Sequence, residues 1–249
     1  MTITVTAGTV NSTNGGSAPA PTIPGTPQDG DWLVAFFASR ENTDGTVSLP
    51  AGWDERVNSR GTGGLVACWT RPWQSGDTAP VFTLGGHVAG ASGDSASAVI
   101  YLVRPTAGST MSFVGASTPT HTGDQTQIGP IDGDSLTVDA NGIVLLLGHF
   151  RETTVAIADA SGDGLTWNQG TYISNSSGAD QSLEIDWALN DNVAVTDKTL
   201  TLTTPGGSVG SAGFMIFLKE AISATNLVVA DLAHDQACLL YTSDAADEL

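Results

Sequence analysis

One pattern in this sequence is typical of a catalytic nucleophile, the Gly-x-Ser-x-Gly motif at residues 206–210. In hydrolases this motif exposes its serine at a sharp turn between a strand and a helix. Here Thr204 and Pro205 precede the motif, and another apolar strand pattern follows it. The context therefore predicts a glycine-rich hairpin loop, and no catalytic residue is predicted elsewhere in the chain.

The histidines lack the spacing of a metal site. They lie at positions 87, 121, 149 and 234, so no two are separated by the few residues that join paired zinc ligands. His149 ends an apolar run beside Arg151 and Glu152. We expect His149 to be a hydrogen-bonded residue at the end of a strand.

Two groups of acidic residues have a spacing that can be tested against known chemistry. Asp159-Ala-Ser-Gly-Asp163 alternates oxygen ligands with small residues, as calcium loops do, but no glutamate follows at the bidentate position. The sequence predicts no metal and no other cofactor, with Asp159 and Asp163 as the candidate pair for Ca²⁺. Glu184 and Asp186 alternate with apolar residues, which predicts that they face solvent from a half-exposed strand.

Tryptophans beside amides could stack against sugar rings, because an indole offers an apolar face next to hydrogen-bonding groups. Trp73 precedes a glutamine, and Trp167 precedes an asparagine and a glutamine. These two are the predicted sugar-stacking residues. The tryptophans inside apolar strand patterns are predicted to be core, namely Trp32, Trp69 and Trp187.

The elements that would position these residues are short apolar runs separated by Gly, Pro, Asp and Asn. Runs at 30–38, 65–69, 80–84 and 97–103 are followed by similar runs at 141–148, 182–187, 198–202 and 214–218. Trp53 corresponds to Trp167 in this comparison, and Trp69 corresponds to Trp187. The pattern predicts an all-β, antiparallel two-sheet β-sandwich, jelly-roll-like, with two pseudo-repeated halves.

Composition restricts the possible partners. Eight basic residues against 26 acidic ones give a net charge of −18, a field that repels phosphate. We therefore expect no nucleic acid and no membrane as partners, and no apolar stretch reaches the ~20 residues that span a bilayer. The alternating start of the chain, Met1-Thr-Ile-Thr-Val-Thr6, does not have the pattern of a secretory signal.

Several short motifs resemble a widespread phage and prophage β-sandwich family. They are Gly30-Asp-Trp-Leu-Val-Ala35, Leu49-Pro-Ala-Gly-Trp53, Cys68-Trp69, Pro80-Val-Phe-Thr83 and Ala98-Val-Ile-Tyr101. The resemblance covers residues 1–221, and in this chain Tyr101-Leu-Val-Arg104 replaces the family's Tyr-Arg-Gly ending. Members of the family are mostly uncharacterised virion or tail-associated proteins.

The resemblance implies a structural or surface protein of a bacteriophage, such as a decoration, tail or fibre-associated protein, without catalytic activity. The alternative is a carbohydrate- or host-surface-binding module of a tail fibre or adhesin, and a polysaccharide-degrading enzyme is a third reading. The implied partners are other virion proteins or host surface glycans. We expect a homo-oligomer in the particle, and a virion or extracellular location.

The end of the chain differs from the rest. Residues 226–237 are similar to a short repeat found at the ends of phage structural proteins, and residues 238–248 resemble a translated sequencing adapter. We therefore predict a sandwich domain at 1–221, a linker or truncated repeat at 222–237, and a non-native tail at 238–249. Setting the tail aside leaves Cys68 as the only cysteine, and its apolar neighbours predict a buried thiol.

Overall fold

The computed structural model describes residues 2–14, 17–40, 45–49, 51–87, 94–123, 127–133, 141–151, 160, 163–176, 180–190, 193–201 and 210–222. Within these residues the chain forms β-strands and no helix, which confirms the all-β class. In the same part of the chain there is accordingly no helix long and apolar enough to cross a membrane.

The strands fall into two groups of eight along the chain. The first group is β1 (Thr4–Ala7), β2 (Asn11–Asn14), β3 (Trp32–Arg40), β4 (Thr46–Ser48), β5 (Asp54–Gly61), β6 (Gly64–Pro72), β7 (Thr83–Gly85) and β8 (Ser95–Arg104). The second group is β9 (Ser109–Ala116), β10 (Thr120–Thr122), β11 (Gln127–Ile131), β12 (Gly142–Phe150), β13 (Trp167–Asn175), β14 (Gln181–Asn190), β15 (Lys198–Thr201) and β16 (Ser211–Ile222).

Each group builds one antiparallel six-stranded sheet. Sheet one has the order β1–β8–β3–β6–β5, with β2 also paired to β8. Sheet two has the order β10–β16–β12–β14–β13, with β9 also paired to β16. The two orders are the same once the strands are matched, which supports the predicted pseudo-repeat. The connectivity is more local than in a jelly roll, because each sheet takes all its strands from one half of the chain.

The inner core lies between the two sheets. Val34, Phe36 and Ala38 of β3 point into it, and the alternate residues of the same strand point to the other face. Phe36 contacts Tyr101 of its own sheet and Phe214 of the opposite sheet, with ring centroids 5.9 and 6.2 Å apart. The central strands are therefore continuous apolar runs because both of their faces are buried.

Each sheet also has an outer core beneath a short two-stranded ribbon. The β4–β7 ribbon covers sheet one, where Phe82 contacts Phe37 and Trp69 at centroid distances of 5.6 and 6.0 Å. The β11–β15 ribbon covers sheet two, where Ile128 and Leu200 are fully buried. The molecule thus has three apolar layers, one between the sheets and one outside each sheet.

The strand register corrects one detail of the predicted repeat. Phe36 is opposite Cys68 on the inner face of sheet one, and Leu147 is opposite Ile185 on the inner face of sheet two. Cys68 therefore corresponds to Ile185, and Trp69 corresponds to Asp186 rather than to Trp187. A shift of one residue reverses the face of a strand, so Trp69 packs in an outer core while Trp187 points towards the inner one.

The correspondence between Trp53 and Trp167 is confirmed. Each precedes a register shift at the start of an edge strand, between Glu55 and Val57 in β5 and between Gln169 and Thr171 in β13.

The predicted linker and tail at 223–249 lie outside the described residues, and β16 ends at Ile222. Cys68 is fully buried, as expected, and burial raises the pKa of its thiol.

Candidate functional site

One end of the sandwich carries the first residues of β3 and β12. The last residues of β8, β14 and β16 lie at the same end. Asp31 and Arg104 pair there through two hydrogen bonds, Nε to Oδ1 at 2.9 Å and Nη2 to Oδ2 at 2.7 Å. Asp31 is 2% exposed and also accepts a bond from the Gln28 amide at 2.8 Å. The arginine that follows Tyr101 in this chain therefore has a structural partner, and the hydrogen bonds to Asp31 raise the pKa of Arg104.

Three adjoining cavities form a groove across this end, which we call the end groove. The first, of about 460 Å³, lies beside Asp31 and Arg104. The second, of about 220 Å³, shares Thr2 and Thr106 with the first. The third, of about 510 Å³, shares Leu189 with the second. Neighbouring cavities share lining residues, so the three lie side by side at this end of the sandwich.

The third cavity contains the tryptophan of the end groove. Trp187 is half-buried there, and Asn168 lies opposite it in the register of β13 and β14. The Asn168 amide nitrogen donates to the carbonyl oxygens of Thr166 and Trp187, at 3.3 and 3.5 Å. These bonds orient the amide beside the indole.

The middle of the end groove combines apolar residues with several polar side chains. Asn141, Asn190 and Glu220 line it together with Thr106. Glu220 accepts a hydrogen bond from the Thr106 amide, and Asn190 is held by bonds to and from the backbone of Val193, at 2.9 and 2.8 Å. The side chains are thus fixed by the ends of strands and by the turns that follow them.

The two tryptophans predicted to stack on sugars lie elsewhere. Trp73 is half-buried against the outer core of sheet one, and its backbone amide donates to the Asp31 carbonyl at 2.8 Å. Trp167 is half-buried against the outer core of sheet two, with the Lys198 ammonium 5.8 Å from its ring centroid. Neither residue lines the end groove, and sugar stacking by these two remains a prediction.

The structure describes only one of the two candidate calcium ligands. Asp159 lies outside the described residues, whereas Asp163 forms an ion pair with Lys198 and accepts hydrogen bonds from Thr196. Burial alone would raise the pKa of Asp163, but these hydrogen bonds outweigh it and hold the pKa below its usual value. The chain itself supplies the cation at Asp163, and no group of three metal-binding side chains occurs in the described part of the chain.

The interpretation of Glu184 and Asp186 as exposed was wrong. Both are 0% exposed, because sheet two carries an outer core on the face to which they point. Gln169 donates to Glu184 at 3.0 Å, and the Ala160 amide donates to Asp186 at 2.7 Å. These acids therefore sit inside the molecule and not on a binding surface.

His149 is hydrogen-bonded at the end of β12, as expected, and it faces the inner core at the opposite end from the groove. Its Nδ1 lies 2.8 Å from the Gly63 carbonyl oxygen, and its Nε2 lies 3.1 Å from Gln181 Oε1. Burial lowers its pKa to about 4 although both contacts favour the protonated ring. A neutral ring has one N–H and so donates to only one of these two acceptor oxygens, and the contact with Gly63 links His149 to the other sheet.

Trp187 is the residue of the end groove that the sequence did not single out, because its apolar neighbours favoured a core position. A usable signal is its place near the end of β14, three residues before Asn190. Strand ends leave part of a large side chain uncovered.

Comparison of the chain with protein-family models, with curated proteins and with solved structures returned no match.

Proposed function

We propose that this chain is a non-catalytic structural or surface-binding domain of a bacteriophage particle, associated with the capsid, tail or fibre. The observation that carries the proposal is that the residues of the family-like motifs are those that assemble the sandwich. Asp31 holds Arg104, and Trp53 lies 5.7 Å from the Arg71 guanidinium. Trp69 packs on Phe82.

Tyr101, the last residue of the pattern, extends this argument. It is fully buried and donates a hydrogen bond to Thr171 of the other sheet at 2.7 Å. The motif residues that resemble the family pattern thus form structural contacts in this chain. This supports the proposal that the chain shares the family's fold. The low charged fraction of 14% and the net charge of −18 also suit a domain that stays soluble at high local copy number.

The second candidate function is a host-surface-binding module, and the end groove favours it. A concave surface with a few fixed polar groups and one aromatic side chain is the usual form of a small-ligand site. A structural role in the particle and binding to a host surface are compatible, since both require the domain to bind another molecule without catalysing a reaction.

Incubation of the labelled, purified chain with phage particles, intact bacteria and isolated surface polysaccharides tests the proposal. We expect saturable retention on at least one of these surfaces and no increase in reducing ends. Release of reducing ends that disappears in Glu220→Gln would make the chain an enzyme. The surface role would be refuted if the chain were retained on none of these surfaces and were also absent from purified particles by mass spectrometry.

A further inference from the structure

We propose that the end groove binds an uncharged oligosaccharide, with the indole of Trp187 stacking on one sugar ring. This inference rests on the surface-binding function proposed above and names its ligand class. The starting observation is that Trp187 is half-buried at the wall of a cavity of about 510 Å³, although its neighbours Ile185 and Leu183 are fully buried.

The shape of the end groove suits a chain of sugars rather than a single one. The outer two cavities each exceed 400 Å³, within the range of small-molecule sites, and the smaller one lies between them. A linear ligand that occupies all three would pass Trp187, then Leu189 and Asn190, then Thr106, and finally Arg104. The three cavities would then serve as successive subsites of one ligand.

The chemistry of the lining matches that of sugars. A pyranose ring has an apolar face, which packs on an indole, and a rim of hydroxyl groups, which pair with amides and hydroxyls. Asn168 and Thr166 lie beside Trp187 in the third cavity. Within the described part of the chain no group donates to the Asn168 amide oxygen, so this atom can accept a hydrogen bond from a ligand hydroxyl.

The charges of the end groove select against anionic ligands. Among the described residues that line the groove, Asp29, Asp31 and Glu220 are acidic and Arg104 is the single cation, already paired with Asp31. The chain as a whole carries −18. Phosphorylated or uronic-acid polysaccharides would meet repulsion from both, whereas an uncharged oligosaccharide would not.

The position of the groove argues against an extended peptide as the ligand. Peptides often add as a strand to the edge of a sheet, where backbone N–H and C=O groups are free. The end groove crosses the ends of the interior strands β3, β12 and β14 and does not run along a strand, although Thr4, Ser109 and Asn168 of the outer strands β1, β9 and β13 also line it. Recognition there depends on side chains, as it does for sugars.

Titration calorimetry of the full chain against uncharged and anionic bacterial oligosaccharides, chosen from a glycan array, tests the inference. We expect binding of an uncharged oligosaccharide and a loss of affinity of about tenfold or more in Trp187→Ala. Trp187→Phe should retain part of the affinity. Thr166→Arg changes an exposed residue at the groove, so it should block binding while leaving the melting temperature unchanged.

Trp73→Ala is the matched control, because it removes a half-buried tryptophan that does not line the end groove. It should bind as the parent chain does if the inference is correct. The inference would be overturned by unchanged affinity in both Trp187→Ala and Thr166→Arg, or by a preference for anionic glycans. In either case, retention on cells would still support the proposed function. Retention on no surface would instead refute the proposed function itself.

Discussion

The hydroxyl of Tyr101 in β8 donates a hydrogen bond to the hydroxyl of Thr171 in β13, at 2.7 Å, across the two sheets. The residues belong to different halves of the chain, and the bond lies beside the register shift in β13, where Gly170 leaves room for the phenol. Burial raises the pKa of Tyr101, so the phenol remains a donor at neutral pH. This contact joins the two pseudo-repeated halves at a specific point.

Replacing Gly170 by alanine should disturb this contact. A Cβ at that position would overlap the Tyr101 hydroxyl and lie 3.0 Å from the Ile185 carbonyl oxygen. We expect the free energy of unfolding to fall by about 1–3 kcal/mol in urea denaturation. Gly123→Ala, at an exposed glycine with open space, is the control and should change it by less than about 0.5 kcal/mol. If Tyr101→Phe fails to relieve part of the loss in Gly170→Ala, the overlap is not its cause.

The Asp31–Arg104 pair should contribute to stability, unlike an exposed ion pair. Asp31→Asn removes a 2%-exposed carboxylate that accepts from Arg104 and Gln28, and we expect a loss of about 1–3 kcal/mol. Asp54→Asn is the matched control because Asp54 pairs with Arg56 while 65% exposed. It should cost at most about 0.5 kcal/mol. Equal losses in the two variants, measured by urea denaturation, would contradict a special role for the buried carboxylate.

The ion pair of Lys198 and Asp163 joins a buried ammonium, 2% exposed, to an aspartate that is half-buried as a residue. Lys198→Met should destabilise the fold by about 1–3 kcal/mol, because it leaves Asp163 without its cation while solvent still screens part of the carboxylate. Adding Asp163→Asn should recover much of that loss, since the pair is then neutral. A double-mutant cycle by thermal and urea denaturation measures the coupling. Additive losses would show that the two residues act independently.

His149 should make the protein less stable as the pH falls. Its pKa in the folded state is about 4, below the unfolded value of about 6.5, so the unfolded chain takes up the proton first. The stability from the neutral ring is complete above about pH 6.5 and declines to about pH 4. The full loss is on the order of 3 kcal/mol.

Unfolding free energies measured between pH 4 and pH 7 check this expectation. Burial also lowers the pKa of His121, which adds a decline of the same sign, so the decisive quantity is the difference between the parent chain and His149→Gln. The variant should be less stable at pH 7 and show a shallower decline. Parallel curves would exclude His149 as the source.

The architecture could be predicted from the sequence because its signals are local. Short apolar runs between turn residues indicate strands, and the similar order of these runs in the two halves indicated a repeat that the matching strand orders support. The positions of Trp53 and Trp167 could be matched in the same way, since each stands just before an edge strand. These features depend on neighbours along the chain.

The face of each side chain was decided by the tertiary structure. Trp69 and Trp187 look equivalent in the sequence, yet a one-residue difference in register directs them to opposite faces of their sheets. Glu184 and Asp186 have the spacing of exposed residues, but an outer core formed by distant segments buries them. The end groove likewise exists because the fold brings Arg104, Asn141 and Trp187 to one end of the sandwich. Such positions depend on contacts between residues far apart in sequence, which a local pattern does not encode.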